Sequence, residues 1–396
     1  MAVTPQAADV FIDRQVWRNL AAALVLVFVC DMALGLTYPL LNVLMDEQGV
    51  DAWLIGLNSA MSPLGIIATG LVLPKLLARS NSAPVAWAGI AILVGAIAGL
   101  GLTQDFVVWC VLRFVLGVGI ATLFSISEAW LMHFSPDEHR GKITAVYTTV
   151  MALGFGGGTA LLPIAGTAGF LPFGVAAVLT VVSALLLFFI RLDGKEFHGD
   201  QTGVSMWSFA VAAPLLLLGI LTMTLFDSVM LSFFPIYALR MQLDLTTGAW
   251  LLSTAITGAA VFQIAMGWLA DRWSRKGVIW LATVTTVAMA LIMPHVLKSW
   301  VMWPLAVVLG TAAYSIYALA LVALGDRFKG PMLVAGSAAV AAMWGIGGIV
   351  GPPVTGWAFS ELGHETFPWL LAAPYAVFVV CLIVSGGHLV RRRWRG

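Results

Sequence analysis

The chain alternates long apolar stretches with short polar connections along almost its whole length. Twelve stretches reach about 20 residues, the length that an α-helix needs to cross the hydrocarbon core of a bilayer. Several exceed 25 residues, which predicts helices that tilt, kink or extend beyond the bilayer. The predicted spans are 20–45, 53–78, 84–103, 106–132, 143–165, 169–190, 209–239, 247–270, 277–297, 300–325, 332–359 and 367–390.

The longest polar stretch between these spans is 191–206, RLDGKEFHGDQTGVSM, and it separates two sets of six. We therefore predict an N-terminal six-helix bundle over 1–190, a cytoplasmic linker over 191–206 and a C-terminal bundle over 207–396. The two sets also share landmarks at an offset of about 196 residues, which predicts parallel repeats with a site between them. The paired landmarks are Asp31 and Asp227, Pro39 and Pro235, Trp53 and Trp250, and Gly70 and Gly267.

Composition identifies lipid as the solvent of this chain. Of its 396 residues, 61% are hydrophobic and only 10% are charged, whereas soluble proteins carry about 25% charged residues. A soluble domain of this size has no interior large enough for so much apolar surface. The predicted fold class is therefore all-α integral membrane, with twelve transmembrane helices in two pseudo-symmetric bundles, in contact with the lipid bilayer and without a basic surface for nucleic acid.

The distribution of Lys and Arg sets the predicted orientation. Seventeen of the twenty fall on one side of the membrane under the twelve-span topology, and we call this the basic side. Arg240 and Lys298 lie in loops on the opposite side, and Arg113 lies within the fourth span. Because basic loops stay in the cytoplasm, we expect a multi-pass protein of the cell (inner) membrane with both termini cytoplasmic.

Two carboxylates interrupt the apolar spans. Asp31 lies about twelve residues into the first span, a depth of about 18 Å at the helical rise, which places it near the midplane. An Asp there costs roughly 2.5–3.5 kcal/mol on insertion scales, so it is expected to face a cavity or a partner. Tyr38 and Asn42 follow on the same helical face.

Asp227 occupies the corresponding place in the seventh span, with Phe234 on its face. The pair is interpreted as a proton-titrating or cation-binding site, because burial favours proton uptake by a carboxyl group. The alternative is structural: Asp31 pairs with Arg113 or caps a broken helix. Arg113 itself is predicted either to bind an anionic substrate group or to serve as scaffolding.

Aromatic side chains complete the predicted cavity. Tyr and Trp offer a broad apolar face with one polar group, and packing is the competing explanation for each of them. The predicted cavity-lining residues are Tyr38, Asn42, Phe234, Tyr314, Tyr317 and Trp344.

Three segments resemble a known family. GWLADRWSRK at 267–276 resembles the loop signature G-x-L-A-D-R-x-G-R-K of the major facilitator superfamily, and GLVLPKLLAR at 70–79 is its degenerate first-half mate. RFVLGVG at 113–119 resembles the fourth-helix pattern R-x-x-x-G-x-G. The nearest branch is the poorly characterised bacterial group called unknown major facilitators. The resemblance implies alternating access by two rocking bundles.

The resemblance also implies a conformational motif. Gly267 is expected to allow close helix approach, and Asp271 to cap or pair with a neighbouring helix end, with Arg272 and Arg275 in the same loop. Glu128 lies twelve residues before Arg140, and Asp326 is its approximate repeat mate. These three are predicted to form an inner-gate latch, with proton relay or ordinary solvation as alternatives.

The predicted function is secondary active transport of a small organic solute, with protons as the coupling ion. The cavity holds two acids and few amides, which favours an amphipathic or cationic compound and proton-coupled efflux. Proton symport of a metabolite and a non-transporting receptor or assembly partner are the alternatives. The fifth span reads GFGGGTALLP, without the Gly-Pro of drug antiporters.

Other activities lack a pattern in the sequence. No Walker A motif or nucleophile–base pattern is present, so we expect neither ATP drive nor an enzyme. The sixteen Met residues show no metal-binding repeat, and the prediction is a monomer without cofactor or metal.

Overall fold

A computed structural model describes residues 14–77, 79–135, 140–187 and 206–385. These residues form thirteen α-helices and one short 3₁₀-helix, and they contain no strand. The helices are α1 (Arg14–Glu47), α2 (Ala52–Leu77), α3 (Ser82–Leu102), α4 (Phe106–Phe134), α5 (Arg140–Ala165), α6 (Leu171–Leu187), α7 (Met206–Ala212), α8 (Pro214–Arg240), α9 (Leu245–Arg272), α10 (Arg275–Val296), α11 (Met302–Arg327), α12 (Gly330–Glu361) and α13 (Phe367–Val384), with the 3₁₀-helix at His364–Thr366.

The seventh predicted span, 209–239, is not one helix. It breaks at Ala213, whose backbone is non-helical at φ −134° and ψ 55°, and α8 begins at Pro214. A proline has no amide hydrogen to donate to the preceding turn, but its fixed φ suits the first position of a new helix. The break leaves the short helix α7 before the long helix that carries Asp227.

Eleven of the described helices are long and apolar enough to cross a membrane. The sixth predicted span, 169–190, appears as the shorter α6, with 17 described residues. Together these give twelve apolar helices, which we group as the N-half (α1–α6) and the C-half (α8–α13). The predicted linker lies almost entirely outside the described residues.

Glycines let α1 and α5 approach closely within the N-half. A Cβ at Gly35 would lie 2.1 Å from the carbonyl oxygen of Phe155, and one at Gly158 would lie 2.2 Å from that of Met32. Such distances are below van der Waals contact, so neither position has room for a larger residue. This contact fixes the face of α1 that carries Asp31 against α5.

The two halves meet along α2 and α12, along α5 and α9, and along α1 and α8. On α2, a Cβ at Gly56 would lie 2.3 Å from the carbonyl oxygen of Pro352; on α12, one at Gly356 would lie 2.2 Å from that of Ala52. Between α5 and α9, the hydroxyl of Ser253 donates to the Gly156 carbonyl over 2.7 Å.

Charged and polar contacts join the halves on the side opposite the basic loops. Arg240 Nη2 at the end of α8 lies 2.6 Å from Asp46 Oδ1 near the end of α1. The Trp53 amide donates to the Ser360 hydroxyl over 3.2 Å. Because both contacts cross between the halves, the structure is closed at this end.

The helices separate toward the basic side. Gly70 and Gly267, near the basic ends of α2 and α9, have no neighbouring atom within 4 Å of an added Cβ. Helices α4 and α11, which belong to different halves, do not pack on one another over their described residues. The space between the halves therefore widens toward the basic side, and we call it the vestibule.

Candidate functional site

Asp31 lies in α1 against α5, with 4% of its surface exposed. A Cβ at Gly154 would lie 3.2 Å from the Asp31 Cβ and 2.5 Å from the carbonyl oxygen of Phe28. Within the described part of the chain, Asp31 Oδ2 is buried and has no hydrogen-bond partner. A buried polar atom without a partner is rare in folded proteins, which marks this carboxyl group for a functional explanation.

Asp227 lies in α8, also buried, and its surroundings are different. The hydroxyl of Tyr314 in α11 donates to Asp227 Oδ1. The ring of Phe226 meets Tyr314 edge-on, with centroids 6.1 Å apart, and meets Tyr375 edge-on at 5.8 Å. The carboxyl group of Asp227 is therefore held by a neutral phenol inside an aromatic cluster.

Arg113 in α4 is 1% exposed and is held by neutral oxygens. Its Nη1 donates to Asn42 Oδ1 and to Asn58 Oδ1, each over 2.7 Å, and more weakly to the Ser59 hydroxyl at 3.3 Å. Its Nη2 donates to the Tyr38 carbonyl over 3.1 Å. The guanidinium carbon also lies 4.6 Å from the centroid of the Tyr38 ring, a cation–π contact.

These contacts do not support a pair between Asp31 and Arg113. Salt bridges such as Arg240–Asp46, Arg275–Asp271 and Arg275–Asp326 form within the described part of the chain, and none between described residues involves Arg113. The structural alternative for Asp31, a fixed ion pair with Arg113, is therefore absent from this conformation. The hydrogen bonds from Arg113 to Asn58 and Ser59 were not predicted, because the spacing of these residues from Arg113 carries no periodic signal.

Asn42 connects the Arg113 network to the other half. Its Nδ2 donates to the Ser232 carbonyl in α8 over 2.8 Å, while its Oδ1 accepts from Arg113. Asn42 and Phe234 are 0% and 1% exposed, so neither lines an open cavity in this conformation. Phe234 packs instead against Tyr237 and Phe367.

Of the remaining predicted cavity residues, Tyr38 lies in the N-half, and Tyr314, Tyr317 and Trp344 lie in the C-half. Tyr38 and Tyr314 are occupied by the contacts to Arg113 and Asp227. Tyr317 is partly buried and Trp344 is 42% exposed, and their rings meet edge-on with centroids 6.4 Å apart. Tyr317 and Trp344 are thus the predicted aromatic residues that remain accessible in this conformation.

The predicted gate residues separate into two groups. Arg275 pairs with Asp326 of α11 and lies 3.8 Å from Asp271, and Arg272 stacks over Trp268 with 5.3 Å to the ring centroid. These contacts tie α9, α10 and α11 together within the C-half. Gly267 does not make the expected close approach in this conformation, since no neighbouring atom lies within 4 Å of an added Cβ.

The predicted latch around Glu128 and Arg140 stays a prediction. Glu128 in α4 is exposed and has no ion-pair partner among the described residues. Asp326, its approximate repeat mate, is bound to Arg275 of its own half. The side chain of Arg140 lies outside the described residues.

The salt bridge that does cross between the halves was missed from the sequence. Arg240 had been noted as one of the few cations on the opposite side. Asp46 ends the corresponding helix of the first half. An acid and a base at matching ends of repeated helices would have predicted this contact.

Asp244 is an exposed acid outside the membrane spans, and it contrasts with the buried Asp31 and Asp227. Asp244 is exposed and caps α9, accepting from the Thr247 amide and hydroxyl over 2.8 Å each. These hydrogen bonds, the backbone one first, hold the pKa of the Asp244 carboxyl below its ordinary value.

Known proteins share this sequence pattern and this fold. The sequence pattern of the Major Facilitator Superfamily matches residues 23–253 and 216–393. YfkF of Bacillus subtilis strain 168, an uncharacterized MFS-type transporter, is 25% identical over 343 residues, which cover 84% of this chain and 86% of that protein. YcaD of Escherichia coli O139:H28, another uncharacterized MFS-type transporter, is 22% identical over 358 residues, covering 90% and 93%.

Solved transporter structures confirm the predicted fold. A bacterial homolog of the human lysosomal transporter Spinster, inward-facing and unoccupied, superposes with a TM-score of 0.72 at 14% identity, covering 94% of this chain and 96% of that one. A mutant of the nucleoside transporter NupG gives a TM-score of 0.75 at 13% identity, covering 92% and 99%. The predicted all-α membrane fold is thereby confirmed. The chain belongs to the major facilitator superfamily and is a multi-pass membrane transporter, not an enzyme.

Proposed function

We propose that this transporter couples proton movement to the export of an amphipathic or cationic organic compound, with Asp31 and Asp227 as the acids that bind the proton and the cationic group. The basic side is then cytoplasmic, both termini lie there, and the structure is the inward-open state. The observation that carries the proposal is the absence of a fixed cation at either buried acid among the described residues. A carboxyl group without a fixed countercharge is free to exchange a proton for a cationic solute.

The surroundings of the acids support an exchange of this kind. Asp31 Oδ2 has no hydrogen-bond partner within the described residues, so a proton or a ligand gains a contact there that the protein does not supply. Asp227 is held by the neutral hydroxyl of Tyr314, which leaves its charge uncompensated. Arg113 is committed to neutral oxygens and does not neutralise either acid.

The closed end supports an alternating cycle. The Asp46–Arg240 salt bridge and the Asn42–Ser232 hydrogen bond both cross between the halves. Opening at that end requires these contacts to break while the vestibule closes at the basic side. The proposed exporter would release its solute in that second state.

The test is transport of ethidium and tetraphenylphosphonium into proteoliposomes with an imposed pH gradient. We expect gradient-dependent accumulation that nigericin abolishes, and loss of at least about tenfold of that rate in Asp31→Asn and in Asp227→Asn, because an amide cannot exchange a proton. Asp244→Asn, on the exposed cap of α9, is the matched control and should transport normally. Accumulation that ignores the gradient, or variants that transport like wild type, would contradict proton coupling at these acids.

Proton symport of an anionic metabolite is the second candidate. It is favoured by one observation, the buried Arg113 guanidinium without a carboxylate partner in the described residues. In that case a pH gradient of the opposite direction drives uptake of the anionic metabolite. Organic acids then compete for this uptake, whereas ethidium does not.

A further inference from the structure

A cleft of about 450 Å³ opens in the C-half at the end opposite the basic side. The connection between α8 and α9 forms one wall, and the connection between α10 and α11 forms the other. Its apolar floor consists of Leu251, Leu297 and Met302, which are 1%, 3% and 1% exposed. None of the residues that line the cleft belongs to the N-half, so it is distinct from the site of Asp31 and Asp227.

Lys298 brings an uncompensated positive charge to the rim of this cleft. Its side chain is exposed, and its Nζ donates to the neutral Oε1 of Gln242 over 3.2 Å. None of the salt bridges between described residues includes Lys298. The Asp244 carboxylate in the same cleft already accepts from the Thr247 amide and hydroxyl. The charge of Lys298 therefore suits the cleft to an anionic group.

Gln242, which contacts Lys298, has an unusual backbone conformation. Its φ is 64°, a positive value that the described chain otherwise shows only at glycines. It follows the C-cap of α8, where its amide donates to the Leu239 carbonyl over 2.8 Å and the Leu243 amide donates to the Ala238 carbonyl over 2.9 Å. Glycine is favoured at this position because it adopts a positive φ without strain. A glutamine there points to a role for its side chain, and that side chain contacts Lys298.

Exposed tryptophans place the cleft at the membrane interface. Trp300 and Trp303 line it and are 77% and 41% exposed, and tryptophan is enriched at the level of lipid headgroups. Beside them, the start of α11 exposes Val301, Pro304 and Val308, whose spacing of i, i+3 and i+7 puts them on one helical face. A charged rim that continues into an apolar stripe along a membrane helix matches the headgroup and acyl chain of a lipid.

We propose that this cleft binds the headgroup of an anionic phospholipid, phosphatidylglycerol, from the leaflet opposite the basic side. Lys298 donates to the lipid phosphate and Gln242 orients the lysine. The N-terminus of α11, which begins at Met302, adds a field that favours the anion. The acyl chains lie along the exposed apolar face of α11. This site does not depend on the proton coupling or the solute proposed above.

The experiment is photolabelling of the full chain in phosphatidylcholine liposomes, with phosphatidylglycerol that carries a diazirine at the start of one acyl chain. Peptide mapping then measures the label on residues 297–308. We expect unlabelled phosphatidylglycerol to displace this label at a concentration at least about tenfold lower than phosphatidylcholine, whose headgroup cation cancels the charge of its phosphate. Soluble glycerol phosphate should not displace it, because it lacks acyl chains.

Variants separate the charge of Lys298 from its bulk. Lys298→Gln should lower the labelling of 297–308 by about tenfold, whereas Lys298→Arg should keep it within about threefold of wild type. Lys75→Gln, at an exposed lysine near the basic end of α2, is the matched control and should be labelled like wild type. Labelling that is unchanged in Lys298→Gln, or equal displacement by the two phospholipids, overturns the site. Displacement by glycerol phosphate as effective as that by phosphatidylglycerol overturns the assignment to a lipid.

Gln242→Gly tests the contact that orients Lys298. Glycine relieves the strain of the positive φ, so the midpoint of thermal unfolding should stay constant or rise. The labelling of 297–308 should nevertheless fall by about threefold, because Lys298 loses its hydrogen-bond acceptor. Unchanged labelling in Gln242→Gly would overturn the orienting role of this side chain.

Discussion

Asp31 and Asp227 are repeat mates, but the protein surrounds them differently. Asp31 is pressed against a glycine of α5 and leaves Oδ2 without a partner within the described residues, whereas Asp227 accepts a hydrogen bond from Tyr314. The arginine of the N-half does not compensate for this difference, because its donors are used by Asn42, Asn58 and Tyr38. Equal positions in two repeats therefore do not imply equal chemistry.

The difference suggests a division of labour between the halves. A carboxyl group with an unsatisfied oxygen gains most from a proton or a ligand, and this describes Asp31. A carboxyl group already hydrogen-bonded to a phenol is held in one orientation, and this describes Asp227. The comparison predicts that substitutions at the two sites differ in their effect on stability even where they agree in their effect on transport.

The largest effect on stability is expected from substitution of Arg113. The comparison of the two acids depends on the absence of an ion pair between Arg113 and Asp31. Arg113→Met removes the hydrogen bonds to Asn42, Asn58 and Tyr38 and leaves the buried Asn58 Oδ1 without its donor, so it should lower the free energy of unfolding by about 3 kcal/mol or more. Denaturant unfolding in detergent micelles measures this loss. Arg240→Met is the matched control, because its partly exposed salt bridge is worth about 0–1 kcal/mol.

The double variant of Arg113→Met with Asp31→Leu tests whether the two residues act separately. Because they share no contact in the described structure, their effects should add within about 0.5 kcal/mol. A double variant that is markedly more stable than this sum would reveal an ion pair between them and remove the basis of the comparison.

Gly154 tests the close contact that confines Asp31. Gly154→Ala places a Cβ 2.5 Å from the Phe28 carbonyl oxygen, and overpacking of this kind typically costs about 1–3 kcal/mol. Gly157→Ala on the same helix is the control, because no atom lies within 4 Å of the added Cβ. A lower midpoint of thermal unfolding in the first variant only is the expected result; equal midpoints would mean that α1 and α5 separate easily there.

Leucine substitutions compare the two acids directly. Asp227→Leu leaves the buried Tyr314 hydroxyl without its acceptor, which should cost about 1–3 kcal/mol of unfolding free energy. Asp31→Leu removes a carboxyl group whose buried Oδ2 has no hydrogen-bond partner among the described residues, so it should be neutral or stabilising. Thermal unfolding of both variants beside wild type measures the difference, and the reverse order would show that Asp31 has the stronger partners.

The sequence predicted the fold from features that repeat along the chain. Three features were used: the length of the apolar stretches, the uneven distribution of Lys and Arg between the two sides, and the paired landmarks. Each involves many residues, so one atypical residue does not change the predicted position of the helices. The exception was Pro214, which breaks the seventh span into α7 and α8. An apolar run that contains a proline does not reveal whether the proline bends one helix or begins another.

The site was less accessible to sequence reasoning, because its contacts join residues from distant helices. Arg113 was recognised as a buried cation, but its partners Asn58 and Tyr38 lie 55 and 75 positions away. Glu128 was read as a latch from its spacing to Arg140, although nothing in that spacing shows which way α4 turns it.

The smallest expected effect concerns Asp244, the exposed acid that contrasts with the buried pair. Asp244→Ala removes the cap of α9 and should cost about 0.5–2 kcal/mol near neutral pH. The hydrogen bonds from Thr247 lower the pKa of Asp244 in the folded state, so its contribution is present above the ordinary pKa of about 3.9 and is lost as the pH falls through the lowered folded-state value. The gap in thermal midpoint between wild type and Asp244→Ala should therefore stay constant from neutral pH to about pH 5 and shrink in stronger acid. Asp244→Asn, which keeps a capping oxygen, should show little loss at neutral pH and no shrinking gap; a gap that widens in acid would instead show that protonation strengthens the cap.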